Sequence, residues 1–393
     1  MDDTLAILLQ YVKAAMNKTT CDLPITEEEK FFRIARQQGL SGMLYLAIDQ
    51  SLDSPIHLRL RDEFYRYTTK DALQQEAIVS ITKAYSQTKI PHIFLKGAYL
   101  KQLYPHSAMR SMGDIDVLIH DGDIKEAQDA MNQIGFVKIM AGETHDIYEK
   151  GTVHVEVHPA IDLHFDQLHL HVLNDLWKRS VLINDDNYKL SDLDLGLYLL
   201  AHLVKHFRSS GVGIRQILDI GVWENDVRNK INLEEFKSIL EEAKLSHFYH
   251  TMACLNQRWF VIEPLFDDTE TITFEESDYL LIEDYIISSG VHGKARGFNS
   301  SLPKFASEGS KKHKDKKIKM RVFLKTVFPS WKSLKFTYPY LNNHMWLLPV
   351  AWMSRWLRWI FIQPKRSLRK IGEYRTSDLE ITEKIQLYEK MGL

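Results

Sequence analysis

The sequence feature that most constrains the fold is a change of pattern at Pro91. Residues 56–89 contain no Gly or Pro and repeat apolar side chains at helical spacing, and Pro91 ends this pattern. Over roughly the next 70 residues, short β-branched runs alternate with helical segments, which is typical of a small α/β unit. We therefore predict an α+β protein in which one small sheet lies between helical regions.

Four segments of this unit have the composition of strands. They are HIFLKG (92–97), DIDVLIH (114–120), FVKIM (136–140) and HDIYEKGTVHVEVH (145–158), and the last predicts a hairpin that turns at Lys150-Gly151. Outside the unit, helix starts are predicted at Thr26, Ser191 and Asn232, each followed three residues later by an acid. We expect four regions: an N-terminal helical region (1–89), the α/β core (90–160), a helical domain (161–290) and a basic, aromatic C-terminal region (291–393) that packs on the body.

Two aspartates stand two positions apart in the second predicted strand. Because side chains alternate along a strand, Asp114 and Asp116 project to one face while Ile115 and Val117 project into a core. Neighbouring carboxylates resist joint ionisation, and a divalent cation removes that penalty. The pair therefore predicts a Mg²⁺ (or Mn²⁺) site, although such a pair also marks many strand ends and caps.

Glu156 is the candidate for a third carboxylate. In the run 153–158 the valines share one face of the predicted strand, and Glu156 lies on the other face between His154 and His158. If this strand lies beside the strand of Asp116, Glu156 faces the aspartates. Two metal ions about 3.5–4 Å apart could then clamp the attacking and leaving oxygens of a phosphoryl transfer.

Three residues between the first two strands have the chemistry of phosphate contacts. Lys96 supplies a cation, Gly97 permits close approach of the backbone, and Arg110 can bind a phosphate with two parallel hydrogen bonds. The alternatives are a strand-ending turn with a solvated lysine, and an ion pair between Arg110 and an aspartate.

These motifs resemble a known superfamily. FLKGAYLKQLYPHSAMRSMGDIDVLIH (94–120) is similar to the hallmark of the nucleotidyltransferase (polymerase-β-like) fold, in which a glycine turn precedes an aspartate pair and a later strand adds a third acid. The chain most resembles the family of uncharacterised nucleotidyltransferases, where Lys-Gly, here Lys96-Gly97, replaces the Gly-Ser of other members. The likeness extends to residues 198–223 and 327–359. Gly113, in place of an apolar residue before the aspartates, departs from the pattern.

The resemblance implies a mixed-sheet core and a specific activity. That activity is Mg²⁺-dependent transfer of a nucleoside monophosphate from ATP or another nucleoside triphosphate (NTP) to an acceptor, a small molecule or a protein, with release of pyrophosphate. Asp114, Asp116 and Glu156 would hold metal, or Glu156 would act as the base. A non-catalytic module that retains the fold and binds a nucleotide or a protein is the alternative.

The resemblance also implies that two later helices border the cleft. Their candidate side chains are Lys205, His206, Arg215 and Asp219. His202 and His206 could face the same way, but the sequence lacks the third ligand and base of an H-E-x-x-H zinc site. Arg215 and Asp219 are four residues apart, so a simple ion pair within the helix is the alternative for them.

Charge and cysteine content bound the expected partners and location. The net charge of −2 provides no global attraction to nucleic acid or membrane, and two distant cysteines suit a reducing, cytoplasmic compartment. The longest uncharged apolar stretch, 343–354, is too short to span a bilayer. Residues 311–360 could bind nucleic acid or a membrane surface, but we favour a solvated lysine-rich linker at 311–321. We also favour packing of Trp352, Trp356 and Trp359 on the helical body near residues 195–260.

Overall fold

A mixed β-sheet of seven strands lies at the centre of the computed structural model. The structure describes residues 2–49, 54–142, 144–161, 170–266, 274–291, 301, 305, 318–335, 337–361 and 378–393. The strands are β1 (His92–Phe94), β2 (Ile115–Ile119), β3 (Val137–Ala141), β4 (Asp146–Lys150), β5 (Val153–His158), β6 (Val181–Asn184) and β7 (Asn187–Lys189). Their order in the sheet is β3-β4-β5-β2-β1-β7-β6.

The pairing of β2 with β5 brings the predicted acids together. The two strands are parallel, and Asp116 lies beside Glu156 in their register. β1 pairs antiparallel with β2, so the turn that follows β1 lies next to the start of β2. β4 and β5 form the predicted hairpin, with Gly151 at φ +60° in its turn. The predicted strands and the α+β class are confirmed.

The hairpin β6–β7 corrects the prediction of an all-helical segment after residue 160. β7 pairs parallel with β1 and thereby extends the sheet on that side. The hairpin turns at Asp185-Asp186, with Asp185 at φ +42°. Asp-Asp is a much weaker turn signal than Asn-Gly or Asp-Gly, so the hairpin was not evident from the sequence.

Helices cover the sheet and build a separate helical body. They are α1 (Asp3–Met16), α2 (Glu28–Gln37), α3 (Ser41–Leu44), α4 (Pro55–Gln87), α5 (Gly97–Leu100), α6 (Ile124–Gln133), α7 (Leu176–Arg179), α8 (Asp192–Ser209), α9 (Ile214–Val227), α10 (Leu233–Ala243), α11 (Ser246–Phe260), α12 (Glu276–Ser289), α13 (Ile318–Val327), α14 (Trp331–Leu334), α15 (Leu348–Phe361) and α16 (Asp378–Lys390). None of the helices described is long and apolar enough to cross a membrane.

Capping explains where several helices begin. Ser191 Oγ accepts a hydrogen bond from the Asp194 N–H, and Asn232 Oδ1 accepts from two N–H groups of the first turn of α10, as predicted. The start predicted at Thr26 is wrong, because α2 begins at Glu28 without a side-chain cap.

Among the described residues, two large apolar cores hold the sheet and the helical body, and two small clusters lie in the C-terminal region. One lies between the sheet, α4 and α6, and it includes Ile115, Val117, Val155 and Val157. The other joins α1–α3 with α8–α12 and the far end of α16. The valines and isoleucines of β2 and β5 point into the first of these cores. Because side chains alternate along a strand, the acids of the two strands lie on the opposite face, toward the helical body.

The C-terminal region divides into two parts with different contacts. α16 lies against the helical body, where Tyr388 Oη donates a 2.5 Å hydrogen bond to the Phe207 carbonyl. The prediction that the tryptophans of α15 pack on residues 195–260 is wrong for Trp352 and Trp356, whose indole N–H groups donate to the carbonyls of Pro329 and Val327. Residues 311–317 of the predicted lysine linker lie outside the described residues.

Candidate active site

A cavity of about 350 Å³ opens between the β2–β5 part of the sheet and helices α8 and α9. All ten side chains predicted as site residues line it: Lys96, Gly97, Arg110, Asp114, Asp116, Glu156, Lys205, His206, Arg215 and Asp219. They come from five separate stretches of the chain, and the fold brings them together.

The three acids share the sheet side of the cavity. Asp114 directly precedes β2, Asp116 lies within it, and Glu156 lies beside Asp116 on β5. Burial, and then the charges of Asp116 and Glu156, raise the pKa of Asp114 to about 6. Burial and the neighbouring acids therefore disfavour the ionised form of Asp114.

Lys96 occupies the turn between β1 and α5 and reaches the central acid. Its ammonium donates to both carboxylate oxygens of Asp116 at 3.3 Å. Burial opposes the charge of Lys96, but Tyr198 and Asp116 outweigh it and raise the pKa of Lys96. Lys96 adopts φ +41° and ψ −103°, an uncommon backbone conformation for a residue with a side chain. The alternative of a solvated lysine is wrong.

Two histidines that the sequence analysis did not single out complete the acidic side. His158 Nε2 lies 3.1 Å from Asp116 Oδ1 and 3.5 Å from Glu156 Oε2, and His145 Nε2 lies 3.6 Å from the same Glu156 oxygen. The ligand atoms of His145, Glu156 and His158 all lie within 4.8 Å of one another, so they could hold a metal ion. The alternation of side chains that identified Glu156 also places His158 on the same face of the strand. The same pattern could therefore have identified His158.

These contacts set opposite charge preferences in neighbouring groups. Burial opposes ionisation of Asp116, but Lys96 and His158 hold its pKa well below the usual range. Burial also acts against charged His158, yet its hydrogen bonds to Asp116 and Glu156 raise its pKa. Burial lowers the pKa of His145, with Glu156 offsetting part of the effect. The lowered pKa favours the neutral imidazole of His145.

Arg110 is committed to a buried ion pair on the opposite wall. Its Nε and Nη2 donate to the two carboxylate oxygens of Asp219 at 2.7 and 2.9 Å, and Tyr104 Oη donates to the same carboxylate at 2.8 Å. A Cβ added at Gly97 would lie 2.5 Å from Met112 Sδ and 2.8 Å from Arg110 Nη1, so a larger residue there would displace both side chains. The ion-pair alternative for Arg110 is the arrangement found.

Asp219 therefore does not form the ion pair with Arg215 that their four-residue spacing suggested. Arg215 Nη1 donates instead to Ser111 Oγ at 2.6 Å and to the Ser111 carbonyl. Burial and the neighbouring Arg110 lower the pKa of Arg215. Arg110 and Arg215 also line an adjoining cavity of about 280 Å³ on the other side of residues 110–113.

The histidines of α8 contact each other along the helix. His206 Nε2 lies 3.2 Å from His202 Nε2, and His206 Nδ1 lies 2.7 Å from Ser210 Oγ. Both rings and Lys205 line the cavity, facing the acids from the helical side. The cavity thus has an acidic wall from the sheet and a wall of cations and imidazoles from the helices.

Comparison with protein families agrees with this arrangement. The model of the family described as "Uncharacterised nucleotidyltransferase" matches residues 25–261, more than half of the chain. The chain belongs to this family. The match covers every one of the ten predicted site residues, while α12 to α16 lie beyond it.

Two further comparisons add little. A search of curated proteins found no match. Among solved structures, the solution structure of the antibiotic-resistance factor ANT(2'')-Ia is similar with a TM-score of 0.33 and 12% identity, over 48% of this chain and 99% of that one. This level of similarity carries no argument about the present site.

Proposed function

We propose that this nucleotidyltransferase transfers a nucleoside monophosphate from an NTP to an acceptor and releases pyrophosphate, in a reaction that depends on Mg²⁺ or Mn²⁺. One observation carries the proposal: three carboxylates and Lys96 converge in a single cavity. The raised pKa of Asp114 supports it, because a divalent cation would stabilise the ionised form that burial and the neighbouring acids disfavour.

The donor atoms in the cavity fit such an ion. Asp114 and Asp116 would hold it, and Glu156 would be either its third ligand or the base. Oxygen donors suit Mg²⁺, while the imidazoles of His145 and His158, which lie within 4.8 Å of Glu156, also suit Mn²⁺. When bound, the ion would polarise the phosphates and stabilise the charge that develops on them.

Lys96 is proposed to change partners when the nucleotide binds. Its ammonium lies 3.3 Å from Asp116, one of the carboxylates that would hold the ion. Because Lys96 also lines the cavity, its ammonium could turn to a phosphate when that carboxylate is otherwise neutralised. Lys96 would then supply positive charge to Asp116 and to the substrate.

The chemical step needs a base and a leaving group. The acceptor hydroxyl gives its proton to the base while its oxygen forms a bond to the α-phosphorus. The bond from that phosphorus to the bridging oxygen breaks, and pyrophosphate leaves. Glu156 is the proposed base, because it lies beside Asp116 in the cavity and is ionised at neutral pH, where the hydrogen bond with His158 outweighs burial and keeps its pKa below the usual value. His145, 3.6 Å away, can take the proton onward.

The test combines nucleotide binding with pyrophosphate release. The protein is incubated with ATP labelled at the α-phosphate, with Mg²⁺, with Mn²⁺ and with EDTA, and both free pyrophosphate and labelled product are measured. Metal-dependent release that is lost in Asp114→Asn/Asp116→Asn supports the proposal. Asp146→Asn is the matched control, because Asp146 is paired with Lys138 at 2.6 Å and does not line the cavity.

The same experiment separates the alternative function. A protein that binds ATP with metal but releases no pyrophosphate, with any NTP and with a cell extract as the source of acceptor, would be a non-catalytic nucleotide-binding module. Equal activity in Asp114→Asn/Asp116→Asn and the control would place the chemistry outside this cavity.

A further inference from the structure

Helix α15 has apolar side chains on opposite sides. Its inward side is covered, since Trp352 and Trp356 contact the ring of Phe328 with centroids 5.1 and 5.3 Å apart, and Ala351 is fully buried. A helix that is apolar all round is normally buried on all sides.

The outward side of α15 is open. Trp346, just before the helix, and Met353, Leu357, Ile360 and Phe361 within it are between 53% and 76% exposed. Their spacing of three and four residues, together with Val350, places them on one stripe along the helix axis. α13, which ends where α15 packs, also exposes Met320, Phe323 and Leu324.

The charge of this part of the chain has one sign. Between Asp315 and Glu373 the sequence has 13 Lys and Arg residues and no Asp or Glu. Within the described residues, Arg358 is exposed on α15 itself and Lys325 on α13. The rest of the chain carries the compensating acids, since the net charge is −2. The family model matches residues 25–261, so the likeness expected at 327–359 is not part of the match, and no described residue of this region lines the proposed active-site cavity.

We propose that α15 lies in the surface of a lipid bilayer that contains anionic headgroups. An apolar stripe beside cations is what such a surface accommodates, with the stripe in the upper acyl region and the cations among the headgroups. Nucleic acid would need the cations but not a stripe of Leu, Ile, Met and Phe. The helix has 14 residues, fewer than the roughly 20 that a span requires, so it lies along the membrane rather than through it.

The test uses exposed substitutions that leave the folded contacts intact. The full chain and the variants Met353→Glu/Leu357→Glu and Val79→Glu/Val137→Glu are mixed with phosphatidylcholine vesicles with and without phosphatidylglycerol, and bound protein is measured by sedimentation. Val79 and Val137 are 68% and 64% exposed on α4 and β3, so the second pair is a matched control for two apolar-to-acid changes. Circular dichroism melting checks that each variant is folded.

We expect the full chain and the control to bind anionic vesicles, with weaker binding at high salt and a blue shift of tryptophan fluorescence. Met353→Glu/Leu357→Glu should bind at least about 10-fold more weakly, because two apolar side chains of the stripe are replaced by charges. Arg358→Glu should weaken binding to anionic vesicles selectively.

Three results would overturn the proposal. One is the absence of binding to anionic vesicles, and another is equal vesicle binding by Met353→Glu/Leu357→Glu and the control. The third is that another partner covers the surface. Either the full chain forms a dimer without vesicles, which Met353→Glu/Leu357→Glu breaks in ultracentrifugation, or the full chain binds single-stranded DNA but no lipid. None of these measurements involves nucleotide turnover, so they are independent of the proposed function.

Discussion

Replacing Asp114 by Asn should stabilise the protein at neutral pH, although Asp114 lies in the proposed catalytic cavity. Burial and the charges of Asp116 and Glu156 raise its pKa from 3.8 to about 6. The folded state therefore holds the proton more tightly than the unfolded state, and stability falls as the pH rises from about 4 through about 6. At about 1.4 kcal/mol per pKa unit, ionised Asp114 costs the folded state about 3 kcal/mol above this range.

The neighbouring aspartate should behave in the opposite way. Asp116 has a lowered pKa because Lys96 and His158 stabilise its charge against burial. Its contribution to stability is present above the pKa of the unfolded state and is lost as the pH falls through the folded pKa. Asp116→Asn leaves Lys96 and His158 without their partner, and we expect a loss of about 3 kcal/mol at neutral pH.

Urea unfolding followed by circular dichroism, without added metal, measures both effects. Asp114→Asn should gain about 3 kcal/mol at about pH 7.5, roughly half of that at about pH 5, and less than about 1 kcal/mol at about pH 4. Asp146→Asn is the control and should show no gain. The reasoning is refuted if Asp114→Asn is no more stable than the parent at pH 7.5, or if its gain does not shrink on acidification.

Three further predictions concern other parts of the structure. Glu156→Gln should lower turnover roughly 10²-fold at saturating NTP and metal, while Asp146→Asn stays near the parent rate; full activity of Glu156→Gln would remove it as the base. Arg110→Lys keeps the charge but loses the two parallel hydrogen bonds to Asp219, so urea unfolding should show a loss of about 1–3 kcal/mol, and an unchanged midpoint would contradict this. Deleting 378–393 removes Tyr388 and the rest of α16 from the helical core, and the product should melt at a lower temperature and bind a hydrophobic dye; a parent-like melting curve would show that the core does not need it.

The fold and most of the cavity followed from local patterns. The alternation of valines with Glu156 predicted both a strand and the direction of its acid, and the β2–β5 register placed that acid beside Asp116. Strand periodicity is a strong signal where one face is buried, and here Val155 and Val157 define that face. Which strands become neighbours could not be read from periodicity, so the pairing of β2 with β5 was only a condition of the prediction for Glu156.

Contacts between distant segments could not be predicted in the same way. The partner of Asp219 depends on how α9 packs against the turn after α5, and spacing within α9 suggested Arg215 rather than Arg110. The prediction for α15 was wrong for the same reason. An apolar helix predicts that it packs against another surface, but not which surface that is. His145 was not predicted because it directly precedes β4. The alternation of side chains along that strand therefore does not show which face of the sheet His145 lies on.

The hairpin β6–β7 decides where this chain can be divided. β1 has three residues and carries the turn that holds Lys96, and the His92 N–H donates to the Asp186 carbonyl at 2.9 Å. A fragment that stopped near residue 160 would contain every proposed acid but leave β1 as an outer strand with unpaired backbone groups. Such an edge is open to pairing with other molecules, so the fragment should aggregate even though its proposed catalytic residues are complete. A usable minimal fragment must therefore extend beyond Lys189, although all three proposed acids precede residue 160.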